Sequence, residues 1–238
     1  MSTETIILCE GYDDRAFLAG WLLRLGLNDL KPDKGRATPI DPWGLPVSDG
    51  QFAFRAPDGG SVRVQPCHSR GNVFRRAKLR VKGAPSRALA GLVLAVDHDG
   101  VDPTPQFDGV TAKARKLGVG NVNLAVWHCE DPATDGVPDA QTLERVVCAA
   151  IVAAYPLRGP SVQTWVAGRP DCPVPKDEVG HKTLAWSHMA GWYSRHGCGD
   201  FYRAVWRDER VATALEDRLT ANGAAAALRA GLDLPAPT

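Results

Sequence analysis

Residues 6–25, IILCEGYDDRAFLAGWLLRL, combine a strand pattern, a turn and a helix pattern. The first four residues are apolar and rich in β-forming types, which predicts a short buried strand. Beyond the turn, apolar residues recur at three- and four-residue spacing, which predicts an amphipathic helix whose first turn is capped by Asp13 or Asp14. Glu10 follows the strand directly. Because open α/β sheets place their ligand sites at the carboxyl ends of parallel strands, Glu10 is a candidate site residue.

A second apolar run, residues 91–96, is followed by the tetrapeptide DHDG at 97–100, so carboxylates again follow a predicted strand. Later segments alternate between strand and helix patterns. This alternation predicts a Rossmann-like parallel α/β sheet with helices on both faces over residues 4–165. The further predicted elements are a helix at 110–117, a strand at 121–127, a helix at 142–155 and a strand at 161–167.

Two segments lie outside this core pattern. Residues 31–90 are expected to form an insertion, which contains two short alternating runs around the hairpin turn sequence PDGG and then a basic segment. From about Lys182 the chain is predicted to form helices that pack on the sheet. We therefore expect an α/β domain over residues 1–167 and a helical C-terminal region over residues 168–238.

Composition limits the classes of protein to consider. The chain has 238 residues, enough for a sizeable core, and its net charge of +1 says nothing about partners. Its six cysteines include no CxxC pair, which favours reduced thiols and lacks the spacing of a structural zinc site. No run approaches the roughly 20 apolar residues that span a bilayer, and the N-terminus has no signal-peptide pattern. We expect a cytoplasmic protein without membrane contact.

Charge is distributed unevenly along the chain. Residues 61–96 contain eight Lys or Arg and no Asp or Glu. Such a run is often only a solvated surface, but beside a metal site it predicts contacts with the phosphates of a nucleic acid. The candidate nucleic-acid-binding residues are Arg70, Arg75, Arg76, Lys78, Arg80 and Lys82.

Four carboxylates follow the two buried strands: Glu10, Asp14, Asp97 and Asp99. Carboxylates gathered at one sheet edge repel one another unless a cation neutralises them. Mg²⁺ prefers oxygen ligands and is held by a few carboxylates together with substrate phosphates. The alternative is structural, with Asp13 or Asp14 as a helix cap and DHDG as a turn.

The acidic residues resemble the motifs of the Toprim domain: Glu10 with Asp14 after one strand, and Asp97-x-Asp99 after a later one. Type IA and type II topoisomerases, bacterial primases and OLD-family nucleases share that domain. The chain is most similar to small stand-alone Toprim proteins related to the OLD nucleases, with the EGYDD turn and the TLERVVCAAI helix as further matches. The resemblance covers about residues 4–165.

This resemblance implies a Mg²⁺- or Mn²⁺-dependent phosphoryl-transfer enzyme, in the first place a nuclease that hydrolyses phosphodiester bonds in DNA or RNA. By similarity, the catalytic residues are Glu10, Asp97, Asp99 and Lys182. The implied metal ligands are Glu10, Asp14, Asp97, Asp99 and Glu144.

The chain departs from the family in two respects. OLD proteins carry an ATPase with a Walker A loop, and the VGHKT sequence at 179–183 lacks the upstream glycine and the Gly-Lys adjacency of that loop. The chain is therefore not expected to hydrolyse ATP by itself. It also has no recognisable topoisomerase tyrosine domain, so strand passage through a tyrosine is not expected.

Two alternatives remain open. A Toprim-like module without turnover would bind nucleic acid or a protein partner, with the C-terminal helices as a docking or homodimer surface. The sequence VDHDGVD also resembles the opening of haloacid-dehalogenase phosphatases, in which Asp97 would be the nucleophile and Asp99 the acid or base. In that family the motif follows the first strand, whereas here it follows the second apolar run and leaves Glu10 without a role.

Overall fold

A computed structural model of the chain describes residues 4–30, 52–56, 59–84, 89–168, 181–190 and 198–234. Six strands within these ranges form one sheet. They are β1 Glu4–Cys9, β2 Asn28–Asp29, β3 Phe52–Arg55, β4 Ser61–Pro66, β5 Leu89–Asp97 and β6 Val122–Trp127. Their order in the sheet is β2-β3-β4-β1-β5-β6.

The centre of the sheet is parallel. Strands β4, β1, β5 and β6 run in one direction, whereas β2 and β3 extend one side in the antiparallel sense. The carboxyl ends of the four parallel strands therefore meet at one edge, which we call the carboxyl edge. The predicted α/β class with a largely parallel sheet is confirmed.

Helices cover both faces of the sheet. Within the described ranges they are α1 Tyr12–Arg24, α2 Arg70–Gly83, α3 Thr104–Lys116, α4 Leu143–Ala154, α5 Arg158–Ala167, α6 His181–Ala190, α7 Cys198–Ala204, α8 Glu209–Ala221 and α9 Ala224–Gly231. A short 3-10 turn, Val205–Arg207, joins α7 to α8. No helix in the described part of the chain is both long and apolar enough to cross a bilayer.

Alternate residues of the parallel strands point to opposite faces of the sheet. Ile6 and Leu8 of β1 pack in the layer that contains α2 and α3. Ile7 and Cys9 pack in the layer that contains α1, α4, α8 and α9. Burial on both faces explains why β1 is a continuous apolar run rather than an alternating one.

The C-terminal helices belong to one of these layers. Helix α8 packs on α4, and α9 packs on β5 and β6. Gly223, with φ of +76°, provides the left-handed residue between α8 and α9. Gly231 lies so close to the sheet that a Cβ atom on it would overlap Cγ2 of Val93. The predicted helical C-terminal region therefore uses apolar surface of α8 and α9 for packing within the chain.

The predicted strand at 161–167 is wrong, because these residues lie in α5. Val162 and Val166 are four residues apart and form a small buried cluster with Leu184 of α6. Pro160 lies in the first turn of α5, where a missing N–H costs little. The segment alternates briefly between apolar and polar residues, but its buried positions follow the helical period.

The predicted insertion at 31–90 is also corrected. Its expected hairpin is present as β3 and β4, but β4 pairs directly with β1 in the parallel sense and is a central strand. Helix α2 packs beside α3 on the sheet. Local patterns do not reveal this because the pairing joins segments that are far apart in sequence. Residues 31–51 lie outside the described residues.

Helix α3 begins earlier than the predicted 110–117. Asp102 Oδ1 accepts a hydrogen bond from the N–H of Thr104 at 2.9 Å, which satisfies a donor of the first turn. Pro105 also fits the start of a helix. The predicted strand at 121–127 and helix at 142–155 correspond to β6 and α4.

Candidate functional site

At the carboxyl edge, each of the four parallel strands ends at, or just before, a residue with an ionisable side chain. His68 lies just beyond β4, Glu10 follows β1, Asp97 ends β5 and His128 follows β6. The strand order places Glu10 and Asp97 at the two central positions. The edge therefore presents two carboxylates between two imidazoles.

The structure brings Glu10 and Asp97 together. Oε1 of Glu10 accepts a hydrogen bond from the backbone N–H of Asp97 at 3.0 Å. Burial raises the pKa of Glu10 above its usual value, and the negative charge of Asp99 raises it further, although the Asp97 N–H opposes the shift. Glu10, Asp97 and Asp99 thus share one edge of the sheet, as the sequence predicts.

Asp97 is held by the first turn of α4. Its Oδ1 accepts a hydrogen bond from the N–H of Leu143 at 2.8 Å, at the helix end that favours negative charge. Burial nevertheless raises the pKa of Asp97 to about 9, and the nearby charges of Asp14 and Glu10 contribute to this shift. At neutral pH the carboxyl group therefore keeps its proton unless a cation compensates the charge.

The loop that carries Asp99 is held from two sides. Asp99 has φ of +48°, a left-handed conformation that Asp adopts more readily than most residues, and its N–H donates to the carbonyl of Gln141 at 3.0 Å. The Arg70 guanidinium donates to three carbonyl groups between residues 97 and 101, at 3.1 to 3.4 Å. Arg70, predicted to contact nucleic acid, therefore fixes the acidic loop.

Asp14 lies beneath the edge, at the start of α1. Gly11 precedes this helix, and Asp14 Oδ2 accepts its N–H at 2.9 Å, so the predicted capping by Asp14 takes place from inside the first turn. Oδ1 accepts the indole N–H of Trp127 at 2.7 Å. Burial raises the pKa of Asp14 to about 7 despite both donors. Each oxygen of Asp14 therefore already has one donor from the protein.

Lys182 connects α6 to this region. Its Nζ lies 3.1 Å from Oδ2 of Asp13 and 3.0 Å from Oε1 of Glu144. Burial lowers the pKa of Lys182, but the two carboxylates outweigh that effect and hold it above its usual value. Burial opposes ionisation of Glu144, yet Lys182 keeps the pKa of that carboxyl below its usual value. The predicted catalytic lysine and the predicted ligand Glu144 are thus paired with each other.

The basic segment forms α2, which packs on the sheet through Val73, Phe74, Ala77 and Val81. Arg75 and Lys78 lie on its exposed surface. Together with Gln106 of α3 they line a groove of about 290 Å³. Gly71, the residue after Arg70, also lines this groove, so the groove starts at the end of α2 that holds the acidic loop.

The other cations of α2 differ in exposure. Arg80 donates to Oε1 of Gln65 at 2.9 Å and is half-buried, as is Arg76. These two arginines line a second groove of about 330 Å³ with Gln65 and Leu79. Lys82 is exposed in the last turn, the far end of the helix from the carboxyl edge.

Several residues that hold the carboxylates carry no functional signal in the sequence. Trp127 donates to Asp14 across 113 positions of sequence, and Gln141 and Leu143 supply backbone contacts to the acidic loop. No local signal identifies these partners, because their proximity results from the parallel pairing of β5 with β6 and from the docking of α4. In the sequence, Trp127 stands at the end of the apolar run that forms β6, and this pattern predicts burial but no hydrogen bond to Asp14.

The donor chemistry of the site fits a hard divalent cation. Within the described ranges, no three His, Cys, Asp or Glu side chains are already grouped as a metal site. Mg²⁺ does not require such a group, since one or two carboxylates, several waters and substrate phosphates complete its shell. Raised pKa values at Glu10 and Asp97 indicate a place where a cation would relieve unfavourable charge.

Comparisons with known proteins identify a fold but no family. No family model matches the chain, and no curated protein matches it. The crystal structure of the hypothetical protein PH0156 from Pyrococcus horikoshii OT3 is similar, with a TM-score of 0.62 and 15% sequence identity. The similarity covers 97% of this chain and 99% of that one. At this level of identity it shows that the two chains share a fold.

Proposed function

We propose that this protein is a Mg²⁺- or Mn²⁺-dependent phosphoryl-transfer enzyme, and specifically a nuclease that hydrolyses phosphodiester bonds in DNA or RNA. The observation that carries the proposal is the contact between Glu10 and Asp97 at the carboxyl edge, where both carboxyl groups have raised pKa values. Carboxylates with this electrostatic cost occur where a bound cation or a catalytic proton is required.

Lys182 and Arg70 are described cations near the carboxylates. Lys182 forms its ion pairs with Asp13 and Glu144. The Arg70 charge lowers the pKa of Glu10, but its guanidinium donates to the backbone carbonyls of the acidic loop. No described residue forms an ion pair with Glu10 or Asp97. A divalent ion would therefore relieve a repulsion that the protein leaves in place.

Asp97, Asp99 and Glu10 are the residues that would hold the metal. When bound, such an ion makes water a better nucleophile and stabilises charge on a phosphate. Glu10, whose pKa burial raises and whose carboxylate contacts the Asp97 backbone, is suited to acid or base catalysis. Arg75 and Lys78 are suited to bind the phosphate backbone beside the site.

The phosphatase alternative requires Asp97 to act as the nucleophile. A nucleophilic carboxylate needs one oxygen free to attack phosphorus, and Oδ1 of Asp97 already accepts the Leu143 N–H, which leaves only Oδ2 for that task. That mechanism also gives no role to Glu10, although the Glu10 carboxylate contacts the Asp97 backbone. The proposal therefore assigns Asp97 to metal binding.

Purified protein incubated with Mn²⁺ and separate plasmid, single-stranded DNA, RNA and small phosphate-ester substrates tests the proposal. We expect cleavage of a nucleic acid by wild type and its loss in Asp97→Asn and Asp99→Asn, with Asp102→Asn as a matched control from the same loop. In Asp97→Asn the amide oxygen can still accept the Leu143 N–H, so this variant should fold. Cleavage of the small ester alone would favour the phosphatase, and nucleic-acid binding without any cleavage would favour a non-catalytic module.

A further inference from the structure

Two aromatic side chains stand beside the carboxylate site on its β4 side. Tyr12 is the first residue of α1, and His68 lies between β4 and α2. Their rings are in edge-to-face contact, with centroids 5.3 Å apart. Both residues are exposed, and Tyr12 leaves 49% of its surface in water.

Tyr12 and His68 belong to different chain segments, and each of these segments passes close to Glu10. Tyr12 is two residues beyond Glu10, and His68 is two residues before Arg70, whose backbone N–H interacts with the Glu10 carboxylate. Tyr12 and His68 therefore border Glu10 on one side, while the acidic loop at 97–101 borders it on the other.

The Tyr12 ring has a cation beside it although it is not buried. The Arg15 guanidinium lies 4.8 Å from its centroid and 4.0 Å from the centroid of the Phe52 ring. His68 has φ of +69°, a left-handed conformation that is uncommon outside glycine and is found disproportionately at functional sites. By contrast, Phe17 and Trp127 in the core bury their rings completely.

Charge near the pair favours a polyanion. Helix α2 starts two residues after His68, and residues 61–84 include basic side chains and no acidic ones. A nucleotide can bind both the aromatic pair and the basic side chains, because its flat base can stack on the ring and its phosphate can contact the cations. A base within a duplex is already stacked on both sides, so the exposed ring fits a single strand.

We propose that Tyr12 and His68 form a nucleobase-binding subsite, in which one base of a single strand stacks on Tyr12 while the adjoining phosphate reaches the carboxylate site. This inference rests on the proposed nucleic-acid substrate and goes beyond it, because it assigns base contacts as well as backbone contacts. Stacking of this kind is tolerant of sequence and adds about fivefold to 160-fold in affinity per base.

Binding measured without turnover tests the subsite. Fluorescence anisotropy with Ca²⁺ compares a short oligothymidylate, the matching oligouridylate and an abasic oligonucleotide of equal length and charge. We expect wild type to prefer the base-bearing strands over the abasic one by about fivefold or more. Tyr12→Phe should keep that preference, because it keeps the ring, and Tyr12→Ala and Tyr12→Leu should lose it.

Trp165→Ala is the matched control, since Trp165 is 59% exposed on α5, remote in sequence from both segments of the subsite. Circular dichroism checks that the variants fold. Equal affinity of wild type for base-bearing and abasic strands would overturn the subsite, as would a full preference in Tyr12→Leu. A base preference without cleavage under any metal would uphold the subsite and contradict the nuclease, whereas cleavage without a base preference would do the reverse.

Discussion

Strand β1 has a glutamate at each end, and the two glutamates differ in what neutralises them. Glu4 begins the strand, is buried and forms an ion pair with Arg63 at 2.8 Å. Glu10 follows the other end, where burial and the charge of Asp99 raise its pKa. A buried charge that is paired within the chain is structural, whereas carboxylates left to repel one another indicate a partner from outside. Glu4 at the amino end of β1 is thus paired with a cation within the chain, whereas Glu10 has no ion pair with any described residue.

The largest effect is expected at the amino end. Arg63→Met removes the cation and leaves the buried Glu4 carboxylate without its arginine. We expect the free energy of unfolding to fall by about 3–5 kcal/mol, as measured by urea denaturation. The double variant Glu4→Gln/Arg63→Met should recover much of that loss because no buried charge remains. A single-variant loss below about 1 kcal/mol, typical of a surface pair, would contradict the structural role.

At the carboxyl edge, acids with raised pKa values should make the free energy of unfolding fall as pH rises. An ion-paired acid has the opposite effect, because its lowered pKa makes stability fall as pH decreases. The pKa of Asp97 is raised from 3.8 to about 9, so between these values the folded chain holds a proton that the unfolded chain has released. The free energy of unfolding therefore falls as pH rises through this window, and Asp14, with a pKa of about 7, contributes to the decline.

Asp97→Asn should flatten this decline and, without divalent ions, raise stability toward the alkaline end of the window. The gain should grow as pH rises through the window and total about 1–2 kcal/mol, because coupled neighbouring groups share the titration. Urea denaturation across the window checks it. Parallel curves for wild type and variant would show that Asp97 is not the source of the pH dependence.

The contrast between the two ends of β1 was only partly accessible from sequence. Glu10, Asp97 and Asp99 could be placed at one edge because each follows an apolar run of strand length. The ion pair of Glu4 with Arg63 could not, since it depends on β4 lying beside β1 and the sequence pattern suggested a separate hairpin. The contact of Trp127 with Asp14 was hidden for the same reason, because it joins residues that only the tertiary fold brings together.

An intermediate effect is expected where α6 meets the site. Lys182→Met leaves the buried Glu144 carboxylate close to Asp97 without its cation. Because half of the lysine side chain is exposed, we expect a loss of only about 1 kcal/mol in thermal or urea unfolding. The loss should grow as pH rises, since Glu144 then carries its charge unpaired. Lys116→Met, at an exposed position of α3, is the control and should leave stability and its pH dependence unchanged.

The smallest effect on stability is expected on α2. Arg75→Ala should change the free energy of unfolding by no more than about 0.5 kcal/mol, because the side chain is exposed. It should weaken nucleic-acid binding and reduce the slope of log affinity against log salt by about one unit. Anisotropy titrations at several salt concentrations measure this, with Lys116→Ala as a control outside the groove. An unchanged slope would remove Arg75 from the phosphate-binding surface.

Calorimetric titration of Mn²⁺ into the protein at neutral pH, repeated in buffers of different ionisation enthalpy, tests directly whether the carboxyl edge requires an external cation. Because the Asp97 pKa of about 9 keeps that group protonated without metal, wild type should release protons as it binds Mn²⁺. Asp97→Asn should bind more weakly and release fewer protons, while Asp102→Asn should match wild type. If wild type binds no Mn²⁺, or if Asp97→Asn binds it with the same affinity and proton release, the carboxylates at this edge are caps and turns and the account is contradicted.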